Sequence, residues 1–221
     1  MNYRARLEAM VDDLGHHSLI EVVRSHLRPP LAATNPAQAK RNEASVKMRL
    51  KGRPVAQKMR RDPVLRAFYE EVDAFGLTWR LRREQLDPQL HAWALRCEEG
   101  DHQLEGHIEL LNEGGAFDSQ EHMIWLPEDD ADDVLRTIQP FDRPTHAHRI
   151  TVLVPARKGV ELGLYHPSER TLASARLGFD AWFERLLATR GMLDTLWGSA
   201  DGPDFARLRS VFPDVDPKLF A

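Results

Sequence analysis

The sequence DPVLRAFYEEVDAFGLTW, residues 62–79, carries the signals of a complete helix followed by a strand. Asp62 predicts an N-cap, and Pro63 suits the first helical position, where its missing N–H would have no partner in any case. Gly76 predicts the end of the helix in a left-handed conformation. The apolar side chains between these signals recur at helical spacing: Val64, Leu65, Phe68, Tyr69 and Val72. After them, residues 77–82 alternate apolar and polar side chains, which predicts a half-buried strand.

The pattern after residue 79 is mainly that of antiparallel strands. Alternating apolar residues predict strands at 93–97 and at 108–110. Residues 150–154 are a nearly continuous β-branched run, as expected of a central strand buried on both faces. A turn at 157–159 and a second run at 160–164 complete a predicted hairpin. The glycine pair Gly114-Gly115 predicts a loop.

Helical patterns flank the strands on both sides. The N-terminal side has a helix over residues 7–14 closed by Gly15, then a capping-box pattern at Ser18 and Glu21 that predicts a second helix through Leu27. Residues 179–187 carry the clearest amphipathic pattern, ended by Gly191. A last helix is predicted over residues 203–212, with Asp201 as its cap.

Two stretches near the N-terminus are harder to interpret. Residues 31–39, rich in Ala, Pro and Asn, predict a linker. The basic tract, residues 40–61, fits a strand or a helix almost equally well. The order of helices, mostly antiparallel strands and helices predicts an α+β fold, a mostly antiparallel sheet flanked by helices. We expect an N-terminal helical and basic extension over residues 1–62 and the α+β domain over residues 63–221.

Composition limits the class of protein. The chain has 221 residues and no apolar stretch approaching the roughly 20 residues that cross a bilayer. Its first residues mix charged and apolar side chains, so they do not predict a signal peptide. Cys97 is the single cysteine, which excludes an intramolecular disulfide and a cysteine-rich zinc site. We therefore expect a cytoplasmic protein with no membrane association.

Charge is strongly segregated along the chain. Residues 1–62 carry a net charge of +7, residues 63–142 a net charge of −13, and residues 143–221 a net charge of +2. Asymmetry of this size concerns association and not fold. The basic and acidic segments could pair with each other, or each could face a separate partner.

An acidic run provides the candidate binding site. It consists of Glu128, Asp129, Asp130, Asp132 and Asp133, and Trp125 lies just before it. Solvated carboxylates at the start of a helix are the plainer interpretation. The functional interpretation is a docking surface for a basic protein, because an aromatic anchor beside a charged rim is typical of protein interfaces. The run lacks the central glycine and the distal glutamate of a calcium-binding EF-hand.

Three stretches resemble the SUKH superfamily, the Smi/Knr-type fold. They are residues 63–79, residues 106–111 with Trp125 and residues 140–142, and residues 163–165 with the helix at 179–191. The resemblance implies a bacterial immunity protein that binds and neutralises a cognate toxin, often a nuclease, with no catalytic residue and no cofactor. This chain has Ala74-Phe75-Gly76 where the family often has Asn-Gly, and it carries a long basic extension.

Two other functions stay open. His146 and His148 would share one face of a strand, and with Glu105, His107 or His102 they could form the metal site of a hydrolase. The spacing is unspecific, however, and no Gly-x-Ser-x-Gly or phosphate-loop motif is present. The basic tract could bind nucleic acid as a regulatory arm, although it lacks interleaved aromatic residues and any known binding motif.

Overall fold

Helices and antiparallel sheets alternate along the chain, and the predicted α+β class is confirmed. The computed structural model describes residues 2–91, 105–118, 137–143 and 149–221. Within them the helices are α1 (Tyr3–His16), α2 (Leu31–Thr34), α3 (Pro36–Arg49), α4 (Pro54–Arg60), α5 (Pro63–Glu71), α6 (Glu113–Asp118), α7 (Phe179–Thr189), α8 (Leu193–Leu196) and α9 (Pro203–Val211). Short 3₁₀ helices cover Arg83–Gln85 and Pro217–Phe220.

The strands form two sheets. They are β1 (Ile20–Arg28), β2 (Ala74–Leu81), β3 (Glu105–Leu110), β4 (Gln139–Pro140), β5 (Ile150–Ala156), β6 (Gly159–His166) and β7 (Thr171–Gly178). The first sheet has the order β1-β2-β3 and the second the order β4-β5-β6-β7. The predicted strands at 77–82, 108–110, 150–154 and 160–164 are all confirmed, whereas the predicted strand at 93–97 lies outside the described residues.

The elements group into two compact units. The first contains residues 27–75 and 109–179, and the second contains residues 2–26, 76–108 and 180–221. Residue 62 therefore lies inside the first unit. The division into segments 1–62 and 63–221 stays a prediction about sequence segments.

The core of the first unit lies under the β5–β6 hairpin. In β5, residues 150–154 are all buried, which confirms the predicted central strand. Ile150 pairs with Tyr165 and Val152 with Gly163 across the hairpin. Ile138 and Val154 complete the apolar cluster around these strands, and Leu172 of β7 packs against it.

Helix α5 begins as predicted and ends differently. The Asp62 carboxylate accepts hydrogen bonds from the backbone N–H groups of Val64 and Leu65, at 2.9 and 3.1 Å. The helix stops at Glu71 because Val72 is already extended, and Gly76 lies within strand β2. The prediction that Gly76 ends the helix was wrong. Burial of Phe75, Leu77 and Trp79 in β2 favours strand pairing over a left-handed cap.

The linker predicted at residues 31–39 is helical. Asn35 caps α3 by accepting a hydrogen bond from the N–H of Gln38 at 3.1 Å, and Pro36 occupies the first turn. For the basic tract, the helical alternative was correct. Val46 and Leu50 are buried four residues apart, whereas Met48 is 70% exposed, which is a helical pattern of burial.

Two other local predictions were wrong. The segment predicted as a helix from the Ser18 capping box is strand β1 over most of its length. Its β-branched residues Ile20, Val22 and Val23 favour a strand, and pairing with β2 outweighs the capping pattern. Gly114-Gly115 lies inside α6, where the Asn112 side chain accepts a hydrogen bond from the N–H of Gly115 at 2.6 Å.

Helices α1 and α7 pack together in the second unit. Arg6 donates two hydrogen bonds to the Glu184 carboxylate, at 2.6 and 2.5 Å, and the Tyr3 hydroxyl donates one to Asp180 at 3.3 Å. Helix α1 continues one residue beyond the predicted stop at Gly15. Helix α9 is confirmed, but its N-cap is Gly202 and not the predicted Asp201.

A tight contact holds strands β2 and β3 against the end of α7. The helix ends with Arg190 and Gly191 in left-handed conformations, φ 51° and 90°, so the predicted stop at Gly191 is confirmed. The indole N–H of Trp79 donates to the carbonyl of Arg190 at 2.6 Å. A Cβ atom on Gly106 would collide with the Trp79 indole and with that same carbonyl, so the position requires glycine.

Candidate functional site

The acidic docking residues predicted from the sequence lie outside the described residues. These are Trp125, Glu128, Asp129, Asp130, Asp132 and Asp133. The same holds for His102, His146, His148 and the side chain of Glu105, and for Cys97. His107 is described: it lies in β3, and its Nδ1 is 3.2 Å from the Thr78 hydroxyl. In the described part of the chain, no group of three His, Cys, Asp or Glu side chains is close enough to hold a metal ion.

Two adjoining cavities lie among helices α3, α4, α5 and α6 of the first unit. Their volumes are about 570 Å³ and about 380 Å³. Four residues line both cavities and so form the wall between them: Glu43, Arg60, Tyr69 and Glu113. Volumes of this order are typical of binding sites for side chains and small molecules. The pair of cavities is therefore the candidate site in the described residues.

A bidentate ion pair crosses this wall. Arg60 at the end of α4 donates from Nε and Nη2 to the two carboxylate oxygens of Glu113, at 2.9 and 3.1 Å. The Arg60 side chain is 16% exposed and that of Glu113 is 37% exposed. Because two parallel hydrogen bonds fix both planes, the pair holds the start of α6 against α4.

The Tyr69 hydroxyl is the unusual group of the wall. Its oxygen is buried and has no hydrogen-bond partner among the described residues, although Tyr69 as a whole is only partly buried. Burial raises the pKa of the Tyr69 phenol well above its usual value, and the carboxylates of Glu113 and Asp73 raise it further. The phenol is therefore neutral, and it lies close to two negative charges. Buried polar groups without a partner are uncommon in proteins and call for an explanation.

Asp73 lines the smaller cavity and forms no ion pair with a described residue. Burial raises the pKa of its carboxyl group, the charge of Arg28 opposes that rise, and the charge of Glu113 adds to it. Asp73 and Glu113 thus repel each other, whereas the charge of Arg28 attracts Asp73 and Arg60 binds Glu113. Each of these two carboxylates therefore has a cation acting on it.

The larger cavity is lined by four cations and three carboxylates, besides uncharged residues. Lys47 pairs with Glu43 at 2.7 Å, and Arg66 approaches Glu70 at 3.5 Å. Arg61 is exposed and forms no ion pair within the described residues. Exposed pairs of this kind contribute little to stability because water screens them.

Sequence reasoning missed this site because its members are far apart in the chain. Arg60 and Glu113 are separated by 53 positions. One signal was available: Tyr69 belongs to the apolar stripe of α5, which places a hydroxyl on the side of the helix that packs inward. The sequence does not indicate which residues surround that hydroxyl.

No family model matches the chain, and neither a curated protein nor a solved structure is significantly similar to it. Within the described residues, no helix is both long enough and apolar enough to cross a membrane.

Proposed function

We propose that this chain is a non-enzymatic, immunity-type protein that binds and neutralises a cationic protein toxin, with nucleases as the leading class. The acidic segment, residues 63–142, supplies the docking surface, centred on Trp125 and the carboxylates at 128–133. A nuclease presents basic residues to phosphate, so an acidic inhibitor can occupy the same surface. Opposite charge also accelerates the encounter of the two proteins.

The observation that supports this proposal is the charge of the basic tract that forms no ion pair among the described residues. In the described part of the chain, Arg60–Glu113 joins the basic tract to the acidic segment. Five cations of the basic tract form no ion pair with a described residue: Lys40, Arg41, Lys51, Lys58 and Arg61. Asp73 of the acidic segment forms no ion pair there, although the charge of Arg28 acts on it. Charge that forms no ion pair among the described residues is available to a partner.

The order of elements is consistent with the SUKH resemblance. Helix α5 leads into the aromatic strand β2, strand β3 follows, and the β5–β6 hairpin precedes the amphipathic helix α7. These elements correspond to the three stretches that carry the resemblance. The acidic docking segment follows α6 directly in the sequence, and α6 contributes Glu113 to the cavity wall.

In the first step of the test, the partner is purified by its binding to the immobilised chain. The toxicity or nuclease activity of that partner is then assayed. We expect a stoichiometric amount of the chain to abolish that activity, with an association rate that falls steeply as salt is added. Replacing Asp129, Asp130, Asp132 and Asp133 by asparagine should slow association by about tenfold or more without unfolding the chain.

A charge-matched control separates a specific surface from net charge. It replaces four exposed acids outside the acidic segment with their amides: Asp12, Asp13, Glu169 and Asp201. This variant should associate at nearly the rate of the parent protein. Equal rates for both variants would rule out the proposed surface, and a partner whose activity survives saturation would rule out the immunity function.

A further inference from the structure

We infer that helices α3 and α4 form a second docking surface, which binds an acidic segment of a protein partner. This cationic surface consists of the larger cavity and the exposed residues beside it: Lys47, Met48, Lys51, Lys58 and Arg61. Its residues differ from those proposed to bind the toxin, so the inference goes beyond that function and does not depend on it.

The basic tract has more positive charge than the described structure neutralises. Residues 40–61 contain nine lysines and arginines and a single carboxylate, that of Glu43. Ion pairs with Glu43 and with Glu113 of α6 engage two of these cations. Five others form no ion pair with a described residue, Lys58 and Arg61 among them. This excess charge is complementary to the carboxylates of an acidic partner.

The cations of α4 lie on its exposed side. Ala56 and Met59 of this helix are buried, whereas Lys58 and the following Arg61 are exposed. Lys58 and Arg61 are three positions apart, so their side chains are neighbours on the helix surface. Arg61 also lines the larger cavity, to which Lys47 of α3 contributes a second cation. The charges of the two helices therefore meet at this cavity.

The exposed ion pairs at the larger cavity leave their cations accessible. The side chains of Lys47 and Glu43 are 67% and 51% exposed, and those of Arg66 and Glu70 are 62% and 69% exposed. Water screens such pairs, so each carboxylate holds its cation weakly. A partner's carboxylate can therefore bind Lys47 or Arg66 as well as the unpaired Arg61. The cavity, about 570 Å³ in volume, has room for acidic side chains of a peptide.

An exposed methionine favours a protein over a nucleic acid as the partner. Met48 is 70% exposed, follows Lys47 directly and precedes Lys51 by three positions. Methionine is enriched at protein interfaces, where a large apolar side chain serves as an anchor within a charged rim. Single-stranded nucleic acids stack their bases on aromatic side chains, and residues 40–61 contain no aromatic residue. The partner that fits is a segment whose acidic residues flank apolar ones.

The test uses a synthetic peptide and the full chain labelled with ¹⁵N. The probe is the acetylated and amidated peptide Glu-Asp-Leu-Leu-Asp-Glu, and its control has glutamine and asparagine in place of the acids. Backbone signals of residues 47–61 are followed in a titration at about 150 mM salt. We expect saturable shifts with the acidic probe and binding at least about tenfold weaker with the neutral one. Equal binding of the two peptides, or no saturable shift, would overturn the inference.

Two charge-matched variants locate the probe. Replacing Lys51, Lys58 and Arg61 with glutamine should weaken peptide binding by about tenfold, because three charges of the cationic surface are lost. The control replaces three exposed cations of the second unit with glutamine: Arg24, Arg209 and Lys218. It should bind the peptide within about twofold of the parent protein. Equal losses in both variants would indicate nonspecific attraction and contradict the proposed surface.

A third variant and two further measurements separate the possible occupants. Met48→Ala should weaken peptide binding by about threefold, because the apolar anchor is lost. Unchanged binding in this variant, or tighter binding of a single-stranded oligonucleotide than of the peptide, would contradict a protein partner. Concentration-dependent sedimentation of the parent protein that the Lys51, Lys58 and Arg61 variant abolishes would identify a second copy as the occupant and overturn the inference.

The two proposals fail separately. If the peptide does not bind but the 128–133 variant slows toxin association, the cationic surface falls and the acidic docking surface stands. If the peptide binds as expected but no toxin is neutralised, the chain binds acidic segments in the service of another function.

Discussion

The four-stranded sheet and the cavity helices belong to the same compact unit, yet different interactions hold them. In β5 the first five residues are buried without a break. Helix α3, twice as long, buries a single residue, Val46. Its start depends on Asn35 and that of α5 on Asp62, while an ion pair joins α4 to α6.

This difference separates stability from specificity. Apolar burial scales with area and is indifferent to the identity of neighbours, so the sheet supplies the free energy of folding. Polar contacts contribute little net energy but require defined geometry. We therefore expect the sheet to tolerate few truncations, and the cavity helices to tolerate many that leave the fold intact but change the site.

The largest effect is expected from Ile150→Ala in the sheet. Ile150 is completely buried within the apolar cluster, so the variant should lose about 3 kcal/mol of unfolding free energy in urea denaturation. The matched change in the helical region is Met48→Ala, where the side chain is 70% exposed and the loss should be under about 0.5 kcal/mol. Similar losses of unfolding free energy at both positions would contradict the proposed difference between the sheet and the cavity helices.

The next largest effect is expected from a buried polar group beside the four-stranded sheet, the carboxylate of Asp142. Asp142 is 5% exposed, burial raises its pKa to about 7, and the N–H of Thr151 donates to its carboxylate at 2.8 Å. Because the folded protein holds this proton more tightly than the unfolded chain, stability should fall as the pH rises from about 4 to about 7. Asp142→Asn keeps the acceptor oxygen and removes the charge. We expect it to add on the order of 2 kcal/mol at pH 8 and nothing at pH 4, measured by urea denaturation at each pH. A variant with the parent's pH profile would show that folding does not shift the pKa of Asp142.

The ion pair across the cavity wall should matter less. A double-mutant cycle with Arg60→Met and Glu113→Gln should give a coupling energy of about 1 kcal/mol, since the pair is bidentate and partly buried. The exposed pair Lys47–Glu43 serves as the comparison and should give about 0.3 kcal/mol. A larger coupling energy at the exposed pair would contradict the statement that the Arg60–Glu113 pair holds α6 against α4.

The smallest effect is expected from the unpaired cations of the basic tract. Replacing Lys40, Lys51, Lys58 and Arg61 with glutamine should shift the melting temperature by less than about 1 °C, because their side chains are exposed. If these residues do not bind nucleic acid, the parent protein should show no retention of duplex DNA or of RNA at about 150 mM salt. Salt-sensitive retention that the variant loses would instead support the regulatory-arm alternative.

Local signals were sufficient where apolar residues decide the structure. The β5–β6 hairpin and helix α7 were predicted from their apolar patterns, and the Asp62 cap from its position before a proline. Strand β1 was mistaken for a helix because the Ser18–Glu21 pattern is local, whereas pairing with β2 depends on residues more than forty positions away. Sequence alone gives no measure of that competition.

The helical region contained signals that could have been used. Asn35 followed by Pro36 is a helix start, although it lies within a stretch whose composition is that of a linker. The cavity could not have been predicted, because it requires α4, α5 and α6 to place Arg60, Tyr69 and Glu113 side by side. No spacing along the chain encodes that arrangement.

The contact between Trp79 and Gly106 has a consequence for how this protein can diverge. Because any side chain at position 106 would meet both the indole and the backbone carbonyl of Arg190, a change of Trp79 alone does not release that position. Related chains should therefore keep glycine at position 106 whatever residue occupies position 79, and a library randomised at both positions should still return glycine at 106.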